Sequence, residues 1–361
     1  MISLIFIGIL IFAILGGPIF AVMSLFALVA FSFADIEMSA VVIEIYRLAS
    51  APTLLTIPLF TLAGYLMAES KSPMRLLKLA NAALGWLPGG VAIVSLVICA
   101  FFTAFTGASG VTIIALGGLL YPMLIKENYS EKFTLGLITT SGSLGLLFPP
   151  SLPIILYGII AKVDIDKLFL AGVIPGILLI VILSAWSIYC GKSNKKAIRQ
   201  KFSFQEIKKS AWDARYELPL PIIVLGGIYG GLITATEASA LTAFYVLVMV
   251  CFLYKDLSII KDVPKIIKES QTLVGAILLI LCCALGLTNY LVDEEVPMQI
   301  LDLMKQFITN KYVFLLFLNV FLLIVGSMMD IFSAIIVVVP LIIPIAEEFG
   351  VDPIHLAVIF L

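Results

Sequence analysis

The chain has little charge and few residues that can bind a transition metal. Of its 361 residues only 12% are Asp, Glu, Lys or Arg, whereas about a quarter is usual for a soluble domain. The net charge is −1, so no bulk attraction to nucleic acid is expected. The single histidine, His355, cannot build a metal site alone. These shortages argue against a nucleic-acid-binding protein and against a histidine-based metal centre.

Cysteine is also scarce, and its spacing is uninformative. The five cysteines lie in or beside apolar segments, and no CxxC pair occurs among them: Cys99, Cys190, Cys251, Cys282 and Cys283. We interpret them as small packing residues and predict neither a disulfide framework nor a zinc site.

Apolar residues, in contrast, make up 62% of the chain. This share predicts a polytopic membrane protein. The first apolar segment, residues 2–31, lacks a basic start and a small-residue cleavage site, so we expect a retained span rather than a signal peptide. Gly16-Gly17-Pro18 predicts a break in its middle.

Two polar stretches interrupt the apolar region between Phe101 and Tyr157. The first is Thr106–Gly110; the second is Ser141–Gly145, followed by Phe148-Pro149-Pro150-Ser151. Non-helical backbone is tolerated at membrane depth only where it is buried in protein or lines a cavity. Gly and Pro interruptions in both halves of a chain indicate a transporter's binding site. We therefore predict that the two stretches form the walls of one ion and substrate site.

Two segments are predicted to be re-entrant hairpins. Residues 88–125 form two apolar arms of about 15 residues each, which is short of the ~20 that a crossing requires. Residues 311–346 repeat this pattern around a polar tip at Gly326-Ser327-Met328-Met329-Asp330.

The orientation follows from the distribution of basic residues. Residues 191–217 contain eight basic and three acidic residues, so this loop is expected to be cytoplasmic. Counting spans from it places the N-terminus in the cytoplasm. The segments that then lie outside, 32–50, 293–311 and 347–352, hold one, two and no Lys or Arg.

An internal repeat underlies this organisation. Tyr65-Leu66 followed by Pro73-Met74 resembles Tyr290-Leu291 followed by Pro297-Met298. Inverted repeats with paired broken elements are the architecture of secondary transporters. The second repeat should continue past the apolar run that begins at His355, so we expect the chain to be C-terminally truncated.

The predicted organisation has five parts. They are an N-terminal span and outer connector (1–52), a first repeat with hairpin 88–125 and broken span 133–161 (53–190), the basic cytoplasmic loop (191–217), two spans and an arm helix (218–270), and an incomplete second repeat with hairpin 311–346 (271–361).

Several long motifs resemble those of one known family and occur in the same order as in that family. They are IPLFTLAGYLM (57–67), GWLPGG (85–90), FTGASGVTIIALGGLLYPML (105–124), SGSLGLLFPPSLPIILYG (141–158) and LFLAGVIPG (168–176). These resemble the large membrane subunit, of the DctM or SiaM type, of tripartite ATP-independent periplasmic (TRAP) transporters. The similarity extends over nearly the whole chain.

The resemblance implies an all-α fold of the ion-transporter superfamily, an elevator mechanism and sodium-driven import of an organic acid. It also implies two protein partners, a small four-helix membrane subunit and a periplasmic binding protein that delivers the substrate. The implied location is a bacterial or archaeal inner membrane, in contact with lipid. No cofactor besides the coupling sodium ions is expected, and no nucleic acid.

Sodium prefers several oxygen ligands, which hydroxyls and carbonyls freed by helix breaks can supply. The predicted sodium ligands are Thr106, Gly107, Ser109, Ser141, Gly142, Ser143 and Pro149, with Gly326, Ser327 and Asp330 in a mirrored second site. The predicted substrate contacts are Ser109, Ser143, Pro150 and Ser151. Helix N-termini near Ser109 and Ser151 would direct positive dipole ends at a substrate carboxylate.

The motifs depart from the family at two places. Where the family often has Ser-Gly-Ser-Ser, this chain has Thr106-Gly107-Ala108-Ser109, and Ala108 removes one candidate ligand oxygen. Where the family has Thr-Pro-Thr-Glu, this chain has Thr234-Ala235-Thr236-Glu237.

Two other interpretations stay open. One is a stand-alone sodium–carboxylate symporter on the same scaffold. The other is an intramembrane serine protease, because residues 107–110 fit the GxSG pattern of rhomboid-type enzymes. A serine nucleophile needs a base within hydrogen-bond reach, and the only histidine follows 246 residues later.

Overall fold

The computed structural model describes residues 2–33, 39, 42, 43, 46, 50–191, 202–306, 308 and 310–361. Within these ranges the chain forms helices and no strand, which confirms the all-α class. Five helices are long and apolar enough to cross a membrane, or up to seven if each of two bent helix pairs counts as one span. The helix content and lengths therefore agree with a polytopic membrane protein.

The helices are joined mostly by short connections. In chain order they are α1 (Ile2–Ile14), α2 (Ile19–Phe33), α3 (Thr56–Glu69), α4 (Ser72–Leu84), α5 (Gly90–Thr106), α6 (Ser109–Lys126), α7 (Glu131–Leu144), α8 (Leu152–Ala161), α9 (Ile165–Gly191), α10 (Phe204–Asp213), α11 (Pro219–Tyr229), α12 (Ala235–Val248), α13 (Asp262–Asp293), α14 (Val296–Lys305), α15 (Lys311–Met328), α16 (Ile331–Glu348) and α17 (Pro353–Phe360). Single 3₁₀ turns cover Pro52–Leu55 and Gly145–Leu147, and a π turn covers Met249–Leu253.

The break predicted in the first apolar segment is present between α1 and α2. Gly16 has a φ of +89°, in the left-handed region that glycine enters without steric cost. Pro18 directly precedes α2 and cannot donate a backbone hydrogen bond to a preceding turn. The two residues together end one helix and begin the next.

The chain divides into two compact units. One comprises residues 1–54, 156–163 and 272–360; the other comprises 55–155 and 164–271, with Leu361. The second of these holds both polar stretches of the first repeat. There α5 is the central helix, since α3, α4, α6, α7 and α9 all pack against it.

The first predicted hairpin is a pair of helices joined by a two-residue break. Its arms α5 and α6 have 17 and 18 residues, longer than the predicted 15, and they pack against each other. Because α6 alone is long enough to count as a span, the re-entrant path of this hairpin stays a prediction.

Lys71, Arg75 and Lys78 among leucines predict an amphipathic helix over residues 70–86, and α4 covers most of this segment. The chain bends by 75° between α3 and α4, and Pro73 lies in the first turn of α4, where its missing N–H costs no helical hydrogen bond. Leu76 and Leu77 are buried, whereas Lys78 is exposed. This division of the helix surface is the one that the sequence predicts.

Two parts of the chain are more regular than the sequence indicated. Helix α10 lies inside the predicted basic loop, of which residues 192–201 fall outside the described ranges. The predicted arm helix, residues 255–270, and the span after it are not separate. One continuous helix of 32 residues, α13, covers most of the arm and the span.

In the unit that contains the predicted second repeat, α14 packs against α16. At the ends of these two helices, Lys305 Nζ lies 3.3 Å from a carboxylate oxygen of Glu348. Lys311 Nζ donates to the Gly350 carbonyl at 2.6 Å. The order α14–α15–α16 repeats the order α4–α5–α6, with similar helix lengths, but an inverted relation between the two sets stays a prediction.

Candidate functional site

The first helix break consists of Gly107 and Ala108. Gly107 ends α5 with a φ of +66°, and its N–H donates to the Thr103 carbonyl at 2.8 Å. Ala108 is extended and precedes α6 without a side-chain cap. Because Thr106 and Ser109 are the flanking helical residues, the break is narrower than the predicted stretch Thr106–Gly110.

Buried threonine hydroxyls surround this break. Thr106 Oγ1 lies 3.0 Å from Thr112 Oγ1 and 3.4 Å from the Ala108 carbonyl oxygen. Thr103 Oγ1 donates to the Gly142 carbonyl at 2.8 Å, which joins α5 to α7. All three threonine side chains are fully buried. They place several neutral oxygens within a few residues of the break.

The second break begins later than predicted. Ser141, Gly142 and Ser143 lie in the last turn of α7 and are helical, so the prediction that they are unwound was wrong. Small residues remain helical here because α7 packs against α5 and α6, which outweighs their weak helix propensity. Their carbonyls still belong to the last turn, where the α-helical pattern leaves acceptors without i+4 donors.

The break itself runs through a 3₁₀ turn at Gly145–Leu147 to Ser151. Phe148 is extended, with φ −100° and ψ 137°, as expected for a residue directly before proline. Pro149 and Pro150 have no N–H to continue a helix. The Pro-Pro pair therefore ends the helical region, and α8 starts at Leu152.

The two breaks are in direct contact. A Cβ atom on Gly107 would lie 2.3 Å from the Leu152 side chain at the start of α8. A Cβ on Gly142 would lie 2.6 Å from Ile113 and 3.4 Å from the Ser109 carbonyl oxygen. Only glycine allows the helix ends to approach this closely. The structure thus brings the two predicted walls together.

The Ser151 hydroxyl is the least satisfied polar group at this junction. Ser151 is fully buried, and its Oγ has no hydrogen-bond partner among the described residues. Leaving a buried hydroxyl unpaired costs about 1–3 kcal/mol. The cost is recovered if an ion or substrate binds the hydroxyl during function.

The other predicted ligands differ in their surroundings. Ser109 is partly buried and Ser143 exposed, whereas Pro149 and Pro150 are buried. Ser141 Oγ donates to the Ile138 carbonyl at 3.0 Å within its own helix. That contact occupies the Ser141 proton and leaves its oxygen able to accept.

The tip of the second hairpin is also narrower than predicted. Gly326 and Ser327 belong to α15, and Ser327 Oγ donates to the Ile324 carbonyl at 2.7 Å. The prediction that they lie in an irregular tip was therefore wrong; only Met329 and Asp330 separate α15 from α16.

Asp330 caps the N-terminus of α16. Its carboxylate accepts from the N–H groups of Phe332 and Ser333 at 3.0 and 3.2 Å, and from Ser333 Oγ at 2.5 Å. This capping role accounts for a carboxylate at the tip.

Glu237 likewise has a structural role. It forms a capping box with Thr234 at the start of α12, in which each side chain accepts a backbone N–H of the other. The Thr234–Glu237 motif therefore begins a helix, and Ala235, where the family has proline, occupies its first position without difficulty.

Three residues at the site escaped the sequence analysis: Gly64, Thr103 and Thr112. A Cβ on Gly64 would lie 2.5 Å from the Thr106 Cα, so α3 packs tightly on the end of α5. Thr103 and Thr112 lie three residues from Thr106 and Ser109, and this i, i+3 spacing is the signal that could have identified them.

The fold and the site define a class: a polytopic, all-helical membrane protein with contacting helix breaks, as in membrane permeases. The family model for the DctM component of tripartite ATP-independent periplasmic transporters matches residues 3–361. The chain belongs to this family and is a multi-pass protein of the inner membrane.

Individual relatives agree. The chain is 34% identical over 333 residues to the C4-dicarboxylate TRAP transporter large permease protein DctM of Pseudomonas aeruginosa, covering 92% of this chain and 78% of that protein. It is 33% identical to the DctM protein of Vibrio cholerae, covering 99% and 83%. It is 36% identical over 308 residues to the isethionate TRAP transporter permease DctMQ of Oleidesulfovibrio alaskensis; this covers 85% of the chain and about half (48%) of that relative. These relatives are permeases, and no catalytic family is indicated.

Proposed function

We propose that the protein imports an organic acid by sodium-coupled secondary transport, as the large permease of a three-part system. The observation that carries the proposal is the contact between the breaks at Gly107 and Leu152, in a chain that is otherwise apolar. Backbone that leaves the helix at membrane depth needs partners for its polar groups. A dehydrated cation provides such a partner for the carbonyl oxygens.

The oxygens at the junction suit sodium better than a transition metal. They are hydroxyls and carbonyls, contributed by Thr106, Ala108, Ser109, Gly142 and Ser151, without a carboxylate or imidazole. Neutral oxygens replace the water shell of an alkali ion without binding it too tightly to release. The predicted ligands Gly107, Ser141, Ser143 and Pro149 adjoin this group.

The substrate is proposed to be an organic anion. The relatives are named for isethionate and for C4-dicarboxylates, both of which are acids. Helices α6 and α8 begin beside the two breaks, at Ser109 and Leu152, and a helix N-terminus favours a bound anion. Ser109, Ser143, Pro150 and Ser151 are the proposed substrate contacts.

The partners are proposed from the family. A tripartite system needs a small membrane subunit and a periplasmic binding protein that presents the acid to the permease. We further propose that the hairpin and the broken span of the predicted first repeat move together in an elevator mechanism. The N-terminus is proposed to lie in the cytoplasm.

Uptake in proteoliposomes tests this function. The chain is reconstituted with its small subunit, and labelled succinate or isethionate is supplied with the binding protein, with or without an inward sodium gradient. We expect uptake only with sodium and the binding protein. Uptake that ignores sodium contradicts the coupling, and uptake without the binding protein favours a stand-alone symporter. Stoichiometric labelling of Ser109 by a fluorophosphonate would instead indicate a protease.

A further inference from the structure

Helix α10 exposes aromatic and basic side chains together, in a region that the proposed transport site does not use. Phe204 and Trp212 are 73% and 69% exposed, and Lys208 between them is also exposed. These three residues are spaced four apart, so they lie along one side of the helix. We refer to this side, together with Lys209, Trp86 and Phe202, as the aromatic–basic face.

The opposite side of α10 is committed to packing. Helix α10 packs against α4, and the residues turned away from solvent, Ile207, Ser210 and Ala211, recur at helical spacing. Ala214, just after the helix, is fully buried. The aromatic–basic face is therefore the free side of a helix whose other side is already occupied.

Neighbouring aromatic residues extend the face. The rings of Trp86 and Phe202 meet edge to face with centroids 5.8 Å apart. Their side chains are 43% and 59% exposed. A protein surface that contacts only water rarely exposes four large aromatic side chains together.

The charges of the face are positive. Lys208 and Lys209 have no ion-pair partner among the residues that the structure describes. The two acidic residues of α10, Glu206 and Asp213, lie seven residues apart on a different side from Phe204 and Lys208, and Lys209 lies between that side and the aromatic residues. An anionic partner that contacts Phe204 and Trp212 therefore meets Lys208 without crossing the acidic side, with Lys209 at the edge of the face.

The position of the helix indicates which anionic partner. Only the five residues 214–218 separate α10 from the apolar helix α11, so α10 lies close to the edge of the hydrocarbon region. Tryptophan is enriched at that depth, and lysine and arginine are enriched in the adjoining cytoplasmic loops. Amphipathic helices that lie in the headgroup layer combine aromatic and basic residues in this way.

We propose that the aromatic–basic face binds the headgroups of anionic phospholipids. The rings of Phe204 and Trp212 insert among the lipid headgroups and the adjoining acyl chains, while Lys208 and Lys209 contact phosphate groups. The binding holds α10, and α4 behind it, at one surface of the bilayer. This role requires no particular transport substrate.

Tryptophan fluorescence of the full-length chain tests the proposal. With Trp86→Phe and Trp186→Phe, Trp212 is the remaining tryptophan. The protein is placed in nanodiscs that contain either brominated phosphatidylglycerol or brominated phosphatidylcholine at equal mole fraction. We expect stronger quenching of Trp212 by phosphatidylglycerol. Each basic residue near an anionic surface strengthens binding by roughly fivefold, so Lys208→Gln with Lys209→Gln should abolish the preference.

A matched control uses two exposed lysines elsewhere in the same unit. Lys261→Gln with Lys265→Gln removes the same charge from a segment without this aromatic cluster and should leave the preference intact. Equal quenching by both lipids, or a preference that survives loss of Lys208 and Lys209, overturns the proposal. Quenching of Trp212 by aqueous iodide but by neither lipid also overturns the proposal. That result would indicate that the face contacts water or a protein partner.

Discussion

Arg75 and Glu217, 142 residues apart in the chain, form a buried ion pair with Nε 2.6 Å from Oε1. The Glu217 side chain is fully buried and that of Arg75 is 13% exposed. Arg75 also contacts Asp256 at 2.7 Å, and its guanidinium lies 3.7 Å from the centre of the Tyr254 ring. Four residues thus join the start of α4 to the segments before α11 and after α12.

Hydrogen bonds complete this cluster. Glu217 accepts from Ser72 Oγ at 3.0 Å and from the Tyr254 hydroxyl at 2.6 Å. Burial, together with the bond to Glu217, raises the pKa of Tyr254, so the hydroxyl remains a donor at neutral pH. In the predicted second repeat the position that corresponds to Arg75 is occupied by Gln299, which cannot form the same ion pairs.

Removing Arg75 should destabilise the protein strongly. Arg75→Ala leaves two buried carboxylates without their cation, and we expect the free energy of unfolding to fall by about 3–5 kcal/mol. Denaturation of the detergent-solubilised protein measures this. Glu217→Gln in the same background should recover part of the loss, because it removes one uncompensated charge.

The exposed pair Lys265–Glu269, at 3.8 Å, provides the control for this experiment. Lys265→Ala should change stability little, since exposed pairs contribute little. Equal effects of Arg75→Ala and Lys265→Ala would show that burial of the Arg75 cluster carries no energetic weight.

Gly107 should tolerate no side chain. Gly107→Ala forces a residue with Cβ into a φ of +66° and into contact with Leu152 at 2.3 Å. We expect a loss of about 2 kcal/mol or more in stability from strain and overpacking, and loss of uptake. Gly110→Ala is the matched control, because nothing lies within 4 Å of its Cβ position. Similar behaviour of the two variants would contradict the close contact between the breaks.

Ser109 and Ser143 should affect sodium coupling. Ser109→Ala and Ser143→Ala each remove one candidate ligand oxygen. Because polar contacts to a charged group are stronger than those between neutral groups, we expect the sodium concentration for half-maximal uptake to rise roughly tenfold. Sodium titration of uptake provides the measurement. Thr139→Val, on the same helix as Ser143, removes an exposed hydroxyl that bonds only to its own helix and should have no effect. Curves that overlay the parent for both serine variants exclude these residues as ligands.

Ser151 should show opposite effects on stability and on transport. Ser151→Ala removes an unpaired buried hydroxyl, so stability should rise by about 1 kcal/mol, while uptake falls because a ligand is lost. Thr134 is a suitable comparison, since its buried hydroxyl also lacks a partner among the described residues. Thr134→Val should raise stability and leave uptake unchanged. If Ser151→Ala behaves like Thr134→Val in both assays, Ser151 is not a ligand.

Asp330 allows its two roles to be separated. Asp330→Asn keeps a good N-cap but removes the negative charge, whereas Asp330→Ala removes both and should cost about 1 kcal/mol of stability. If Asp330 binds sodium, both variants weaken the sodium dependence of uptake. If it only caps α16, Asp330→Asn transports like the parent protein, and the second predicted sodium site loses its carboxylate.

The helical class and several of the places where helices stop could be predicted from the sequence alone. This was possible because local chemistry decides these features. Pro149-Pro150 cannot continue a helix, Gly107 enters the left-handed region, and long apolar runs cannot remain in water. The break at Gly16 and the start of α6 at Ser109 follow from the same local rules.

Which polar residues leave the helix, and which of them meet, depends on packing between segments that are distant in the chain. Five residues look like breakers in the sequence, yet all five remain helical, each in the last turn of its helix: Ser141, Gly142, Ser143, Gly326 and Ser327. Likewise, nothing local relates Thr103 to Gly142, or Arg75 to Glu217. Such pairs form because packing brings distant segments together, and the sequence of either segment does not contain that information.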